Sequence, residues 1–133
     1  MVTVGLARRL RDAGLRWQPQ RGDAFVIPDR DMDDDVFVLS DMTIDVHELP
    51  QGVVLGFNGT VEWALDSVEQ RQALWLPSET QLRNELGDQL VALLREADGW
   101  RVGLADGATF DGPTAEEAYG LAVLDRLRRG RAD

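Results

Sequence analysis

The side chains able to do acid–base or binding chemistry are few, and they cluster in the first half of the chain. His47 is the only histidine. It stands two residues from Asp45 in a run, 43–49, whose alternation puts Thr43, Asp45 and His47 on one side and Ile44 and Val46 on the other. A carboxylate beside an imidazole can orient it and move protons. No nucleophile is tied to this pair by spacing, so the plainer reading is a hydrogen-bonded pair on the solvent side of a strand. Asp41 lies just upstream, in the turn-prone Ser40-Asp41 break. Glu62 and Asp66 flank Trp63, and an acidic group beside aromatic surface can hold a cationic or hydroxylated ligand. The plainer reading of Glu62 is a solvent-facing strand residue over a core indole. Trp17, ahead of Gln18-Pro19, is either an anchor packed on its own domain or an exposed stacking platform. Trp17, Asp41, Asp45, His47, Glu62 and Asp66 are therefore the candidate binding residues, and no residue is assigned a catalytic role.

Two further patterns invite a stronger reading. Asp29-x-Asp31-x-Asp33 has the opening spacing of a calcium loop, but the sixth position is Asp34 where glycine is needed. The twelfth is Ser40 where a bidentate glutamate is needed, and the flanks look like strands. Asp29, Asp31 and Asp33 remain weak cation candidates in a solvated hairpin loop, and no metal or cofactor is expected. Residues 80–87 align with the helix of a Nudix hydrolase only at Leu82, Glu85 and Gly87. The arginine and two of the three glutamates that build the magnesium site are missing, which disfavours that hydrolase. Gly87 is then a close-packing point on a helix. The chain has no cysteine and no lysine, so thiolate, zinc-ribbon, Schiff-base and P-loop chemistry are excluded. Asn58-Gly59-Thr60 matches a glycosylation acceptor but reads as turn chemistry.

The elements that must position these residues follow from periodicity. Asn58-Gly59 suits a type I′ turn between strands 53–57 and 60–65. Counting outward places Gly56 opposite Val61, Leu55 opposite Glu62 and Val54 opposite Trp63, with Val54, Val61, Trp63 and Leu65 on the core face. Before it come a helix over 4–13 with Thr3 as N-cap, a connector, a strand over 24–27 ended by Pro28, an apolar strand over 36–39 covered on both sides, and the 43–49 strand. Residues 66–72 read as a loop or a single helical turn and 73–76 as a strand. Ser78-x-x-Gln81 is a capping box opening a helix whose stripe runs through Leu82, Leu86, Leu90, Leu93, Leu94 and Ala97, stopped by Asp98-Gly99. A small hairpin, 100–104 with 108–110, precedes a last helix opened by Thr114-x-x-Glu117. Trp63, Trp75 and Trp100 are assigned to the core. The resulting class is α+β, one domain over 1–133: a bent antiparallel sheet of about five to seven short strands between residues 24 and 76, with an N-terminal helix and two C-terminal helices packed on it.

Composition sets the remaining bounds. The 133 residues carry 14 arginines against 24 acids, a net charge of −10. Residues 1–21 carry +4, residues 22–125 carry −17 and residues 126–133 carry +3. An acidic body repels phosphate, which argues against nucleic acid and for a protein partner with a basic surface. The arginine-rich ends can fold back on that body or meet a neighbour's, so a homodimer is open. No signal core or bilayer-length apolar run is present, and the expected location is the cytoplasm, away from membranes.

Read whole, LARRLRDAGLRW, GDAFVIPDRDMDDDVFVLSDMT and GFNGTVEWALDSVEQRQALWLPSETQLRNELG resemble a family of small actinobacterial proteins of unknown function. Some members carry a pilus-assembly label. The pilus-associated ATPase-like proteins behind that label have a phosphate-binding loop and lysine, which this chain lacks, and the resemblance brings no active-site residue with it. The expected function is that of a non-enzymatic interaction or accessory protein with an acidic partner-binding surface. The alternative is a small-molecule-binding or hydrolytic enzyme built on Asp41, Asp45, His47, Glu62 and Asp66.

Overall fold

The structure, a computed structural model, describes residues 1–28, 32–39, 45–49, 52–56, 67–69 and 73–132, with the backbone alone at 32–35, 45–49, 52–56, 67–69 and 131–132. In chain order the elements are α1 (Val4–Asp12), β1 (Ala24–Ile27), β2 (Met32–Val38), β3 (Asp45–Leu49), β4 (Gly52–Gly56), β5 (Ser67–Glu69) and β6 (Leu74–Leu76). They continue with α2 (Glu79–Leu86), a single 3-10 turn (Gly87–Gln89), β7 (Leu90–Glu96), β8 (Gly99–Leu104), β9 (Thr109–Gly112) and α3 (Ala115–Ala132). The class is α+β, as the sequence implies. The chain divides into two compact units, Met1–Arg16 with Pro77–Asp133, and Trp17–Leu76.

In the first unit α1 starts where Thr3 Oγ1 accepts the Leu6 N–H, and it buries Leu6, Ala7 and Leu10. α2 starts with the expected capping box: Ser78 N–H donates to Gln81 Oε1 at 2.9 Å and Gln81 N–H to Ser78 Oγ at 3.2 Å. The leucine stripe does not continue as one helix. Gly87 takes φ 55°, a left-handed value that ends α2 after Leu86. Leu90, Leu93 and Leu94 belong instead to β7, which pairs along one edge with β8 from Leu90↔Leu104 to Glu96↔Gly99. Gly87 is thus a helix terminator and not a packing point; a Cβ there would have nothing within 4 Å. Asp98-Gly99, read as a helix stop, belongs to a hairpin: Ala97-Asp98 make the turn and Gly99 opens β8 opposite Glu96.

Strands β7, β8 and β9 form an antiparallel meander in that order, and the expected β8–β9 hairpin is present with Val102 opposite Phe110 and Trp100 opposite Gly112. α3 packs against β8, β9, α1 and α2. Val102 and Leu104 are buried on one face of β8, as are Ala118, Ala122, Val123 and Leu124 of α3. Thr114 Oγ1 caps α3 by accepting the Glu117 N–H at 3.1 Å. The other half of that capping box is redirected: Glu117 Oε1 accepts the Thr3 N–H at 2.6 Å, so one carboxylate ties the start of α3 to the start of α1. Glu117 is buried, whereas its neighbour Glu116 makes a looser 3.6 Å ion pair with the N-terminal ammonium. Glu117→Ala strands the Thr3 N–H and is expected to cost about 2 kcal/mol, against under about 0.5 for Glu116→Ala, as urea-denaturation midpoints will register.

In the second unit β1 is the middle strand of an antiparallel sheet ordered β2–β1–β6. Phe25 stands opposite Phe37 on one side and Trp75 on the other, and the β1–β2 ladder slips between Phe25 and Ile27. Phe25, Ile27, Leu39 and Ala73 form a buried cluster with Trp17 and Phe37 packed on it. β4 is the middle strand of a second sheet, ordered β3–β4–β5. Among the described residues, the six strands between 24 and 76 stand in two three-stranded ladders, each with its central strand paired on both edges.

The register of β4 also differs from the sequence reading. Val54, Leu55 and Gly56 pair with Glu69, Val68 and Ser67 on one side and with His47, Val46 and Asp45 on the other, while Val61, Glu62 and Trp63, the expected partners, lie outside the described residues. Both edges of β4 are thus taken, and Ser67–Glu69 is a strand where a loop was expected. The Asn58-Gly59 turn itself lies outside the described residues. In β2, Phe37 faces the core while Val36 and Val38 are 45% and 62% exposed, so this strand is covered on one face only. The strand also begins earlier than expected, at Met32, taking Asp33, Asp34 and Asp35 out of the acidic loop.

Candidate binding surfaces

Trp17 is placed by a buried carboxylate that the sequence reading overlooked. Asp23 is 5% exposed, and its Oδ2 accepts the Trp17 Nε1–H at 2.8 Å and the Gln20 N–H at 2.9 Å. The backbone on either side is tied to the end of β2: Leu39 N–H donates to the Asp23 carbonyl at 2.9 Å and Gly22 N–H to the Leu39 carbonyl at 2.8 Å. The indole of Trp17 then stacks on Trp75, with centroids 6.5 Å apart and planes 10° from parallel, and leans on Phe25 at 5.5 Å. This geometry holds Trp17 half-buried as part of an aromatic cluster. The Nε1 of Trp75 is buried there without a hydrogen-bond partner among the described residues. The signal in the sequence was the short, turn-rich interval between Trp17 and an aspartate directly before a strand.

Asp29, Asp31, Asp41, Glu62 and Asp66 lie outside the described residues. Asp33 is the second residue of β2, Asp45 opens β3 opposite Gly56, and His47 follows opposite Val54. Asp45 and His47 thus share one strand, while Trp17 belongs to the cluster on the other sheet. Among the described residues no three His, Asp or Glu side chains are grouped so as to hold a metal ion, and no helix is long and apolar enough to cross a membrane.

The division into units separates the charge. Trp17–Leu76 carries twelve acids against three arginines, a net −9, while the remaining residues carry twelve acids against eleven arginines, a net −1. Sequence position alone had spread the negative charge over residues 22–125.

In the near-neutral unit, the β7–β9 sheet has α3 on one face and carries Ala92, Leu94, Gly103, Arg101, Thr109 and Asp111 on the other. Arg101 is clamped by Asp111 at 2.7 Å and Glu96 at 3.3 Å, and the Arg101 hydrogen bond and charge hold the Asp111 carboxyl below its ordinary value. Arg95 lies over the Trp100 ring at 5.4 Å. Leu94 and Val91 are 52% and 66% exposed. The sequence reading placed both on or beside a helix stripe; an apolar run followed by Asp98-Gly99 was the available hairpin signal.

A shallow groove of about 430 Å³ lies between the β8–β9 turn and α3, lined by Gln89, Leu104, Ala105, Asp106, Arg126 and Arg129. Its charges are mutually paired: Arg126 meets Asp106 at 2.8 Å and Arg129 meets Asp125 at 2.9 Å. Asp106 is held below the usual 3.8 first by the Ala108 N–H and then by Arg126. Since its folded value is the lower one, the associated stability is complete above pH 3.8 and is lost as pH falls through the folded value. Asp106→Asn is expected to lower the urea midpoint slightly at neutral pH and not at all at strongly acid pH, flattening the acid limb of the curve.

No family model matches the chain, and neither a curated protein nor a solved structure is detectably similar to it.

Proposed function

We propose that the chain is a non-enzymatic cytoplasmic interaction protein, a member of the small actinobacterial family it resembles, whose acidic unit receives a protein partner with a basic surface. The supporting observation is the charge division, −9 in Trp17–Leu76 against −1 elsewhere. A net charge confined to one unit steers an oppositely charged partner to that unit over about one Debye length, roughly 8 Å in physiological salt, and repels nucleic acid. Exposed Val36 and Val38, on the same strand as Asp33, Asp34 and Asp35, offer apolar contact once the partner has arrived. In this reading the strands of the acidic unit present one strongly bent sheet surface.

Calorimetric titration of the full chain with a peptide of alternating arginine and valine tests it. Binding is expected at about 20 mM salt and much weaker binding at about 300 mM. Asp33→Asn/Asp34→Asn/Asp35→Asn is expected to weaken it roughly tenfold, and Glu79→Gln/Glu85→Gln in the other unit to leave it unchanged. No binding at low salt, or equal loss in both variants, overturns the proposal.

A further inference from the structure

The meander of the near-neutral unit has two edges that no other strand among the described residues pairs with, and they differ. β9 is 4 residues long, carries Asp111 and runs straight into Pro113. β7 is 7 residues long, holds neither proline nor glycine, and is apolar from Leu90 to Leu94. Its ladder partner among the described residues is β8 alone. Edge strands are ordinarily blunted by charge, proline, bulging or cover, because an open row of N–H and C=O groups templates further pairing. The irregularity of β7 falls between Leu90 and Ala92, at the start of the strand, and leaves residues 92–96 in regular register with β8. Its two charges are already occupied: Glu96 by Arg101, and Arg95 over the Trp100 ring. What the edge presents is therefore backbone together with Leu94 and Val91.

We propose that β7 pairs antiparallel with β7 of a second copy about a two-fold axis at Leu94, joining two three-stranded sheets into one of six. Three observations choose this occupant. The unit is close to neutral while the rest of the chain carries −9, so self-association of a −10 chain meets least repulsion here. A foreign basic segment finds no free acid on this face, because Arg101 holds both Glu96 and Asp111. The strand is also self-complementary at one register. With the axis at Leu94, Leu94 faces its copy, Leu93 faces Arg95 and Ala92 faces Glu96, with no like charges opposed. An axis at Arg95 sets two guanidinium groups opposite each other, and one at Leu93 draws the irregular Val91 into the ladder. The inference is independent of the acidic docking surface, which lies in the other unit.

The absence of native cysteine makes the test direct. Directly opposed antiparallel residues have Cα atoms about 4.5–5.5 Å apart, within disulfide reach. The full chain is expected to sediment as a dimer at about 100 μM, Leu94→Cys to cross-link almost completely under mild oxidation, and Asp111→Cys on the other edge to stay uncross-linked. Leu94→Arg is expected to sediment as a monomer with an unchanged circular dichroism spectrum. A monomeric wild type at that concentration, a dimer that survives Leu94→Arg, or cross-linking through Asp111→Cys in place of Leu94→Cys overturns the proposal.

Discussion

Gly112→Ala is expected to lower stability by about 3 kcal/mol, roughly 10 °C in Tm, although it adds only one methyl group. Gly112 is the last residue of β9, opposite Trp100, where the chain turns into α3. A Cβ at this point would lie 2.6 Å from the Ala118 backbone nitrogen and 2.9 Å from Glu117 Cβ. Neither neighbour is the far end of a flexible side chain. Relief requires the first turn of α3 to move, and that turn carries the Thr114 cap and the Glu117 bond to Thr3. Gly99 is bound to glycine by the same junction, since a Cβ there would meet the Gly112 carbonyl. Gly103→Ala is the matched control. It sits on the sheet face away from α3 with nothing within 4 Å of the added methyl. Removing glycine's backbone freedom there should leave stability unchanged or raise it by about 0.5 kcal/mol. Thermal melts of the two variants side by side separate close approach from the loss of glycine itself; equal behaviour would show that β9 and α3 are not in contact at Gly112.

Phe25→Ala is expected to cost about 3–5 kcal/mol, the range for deleting a fully buried aromatic side chain. Phe25 is 0% exposed on the central strand of its sheet, with Phe37 and Trp75 opposite it in register. Its ring touches Trp17 at 5.5 Å and Phe37 at 5.6 Å. The cavity would open between side chains held from the backbone, which limits collapse. Trp17 and Trp75 lie in the same cluster, so their fluorescence should shift to the red in native buffer, and amide protection should fall in β1, β2 and β6. A loss under about 1 kcal/mol with unchanged fluorescence would place Phe25 outside the core.

What could be read in the sequence was what neighbouring residues settle among themselves. Thr3 caps α1, Ser78 and Gln81 cap α2 reciprocally, and β8 pairs with β9 across a short turn. Each depends on hydrogen bonds or pairing within a few residues, which the local order of side chains specifies. Trp17 was visible as an anchor, but not its partner, because nothing in the order of residues aims the Asp23 carboxylate at an indole six positions earlier.

The fate of 90–96 shows the limit most clearly. Leu90, Leu93 and Leu94 fit a helical stripe and an apolar strand equally well, since a run of leucines satisfies both periods. The choice is made by β8, which supplies a ladder from Leu104 to Gly99, and by the left-handed backbone of Gly87, which stops α2. Likewise Thr114-x-x-Glu117 specifies a cap but not that Glu117 would reach Thr3, more than a hundred residues away in sequence. β4 pairs with Ser67–Glu69, a partner that the order of residues did not single out. The sequence by itself determined helix starts, the β8–β9 hairpin, the α+β class and the net charge of −10. Tertiary structure alone decided which strands pair, which leucines are left exposed, and that nearly all the net negative charge falls in one unit. Long-range pairing and burial are properties of residues brought together from distant positions, and no local pattern encodes them.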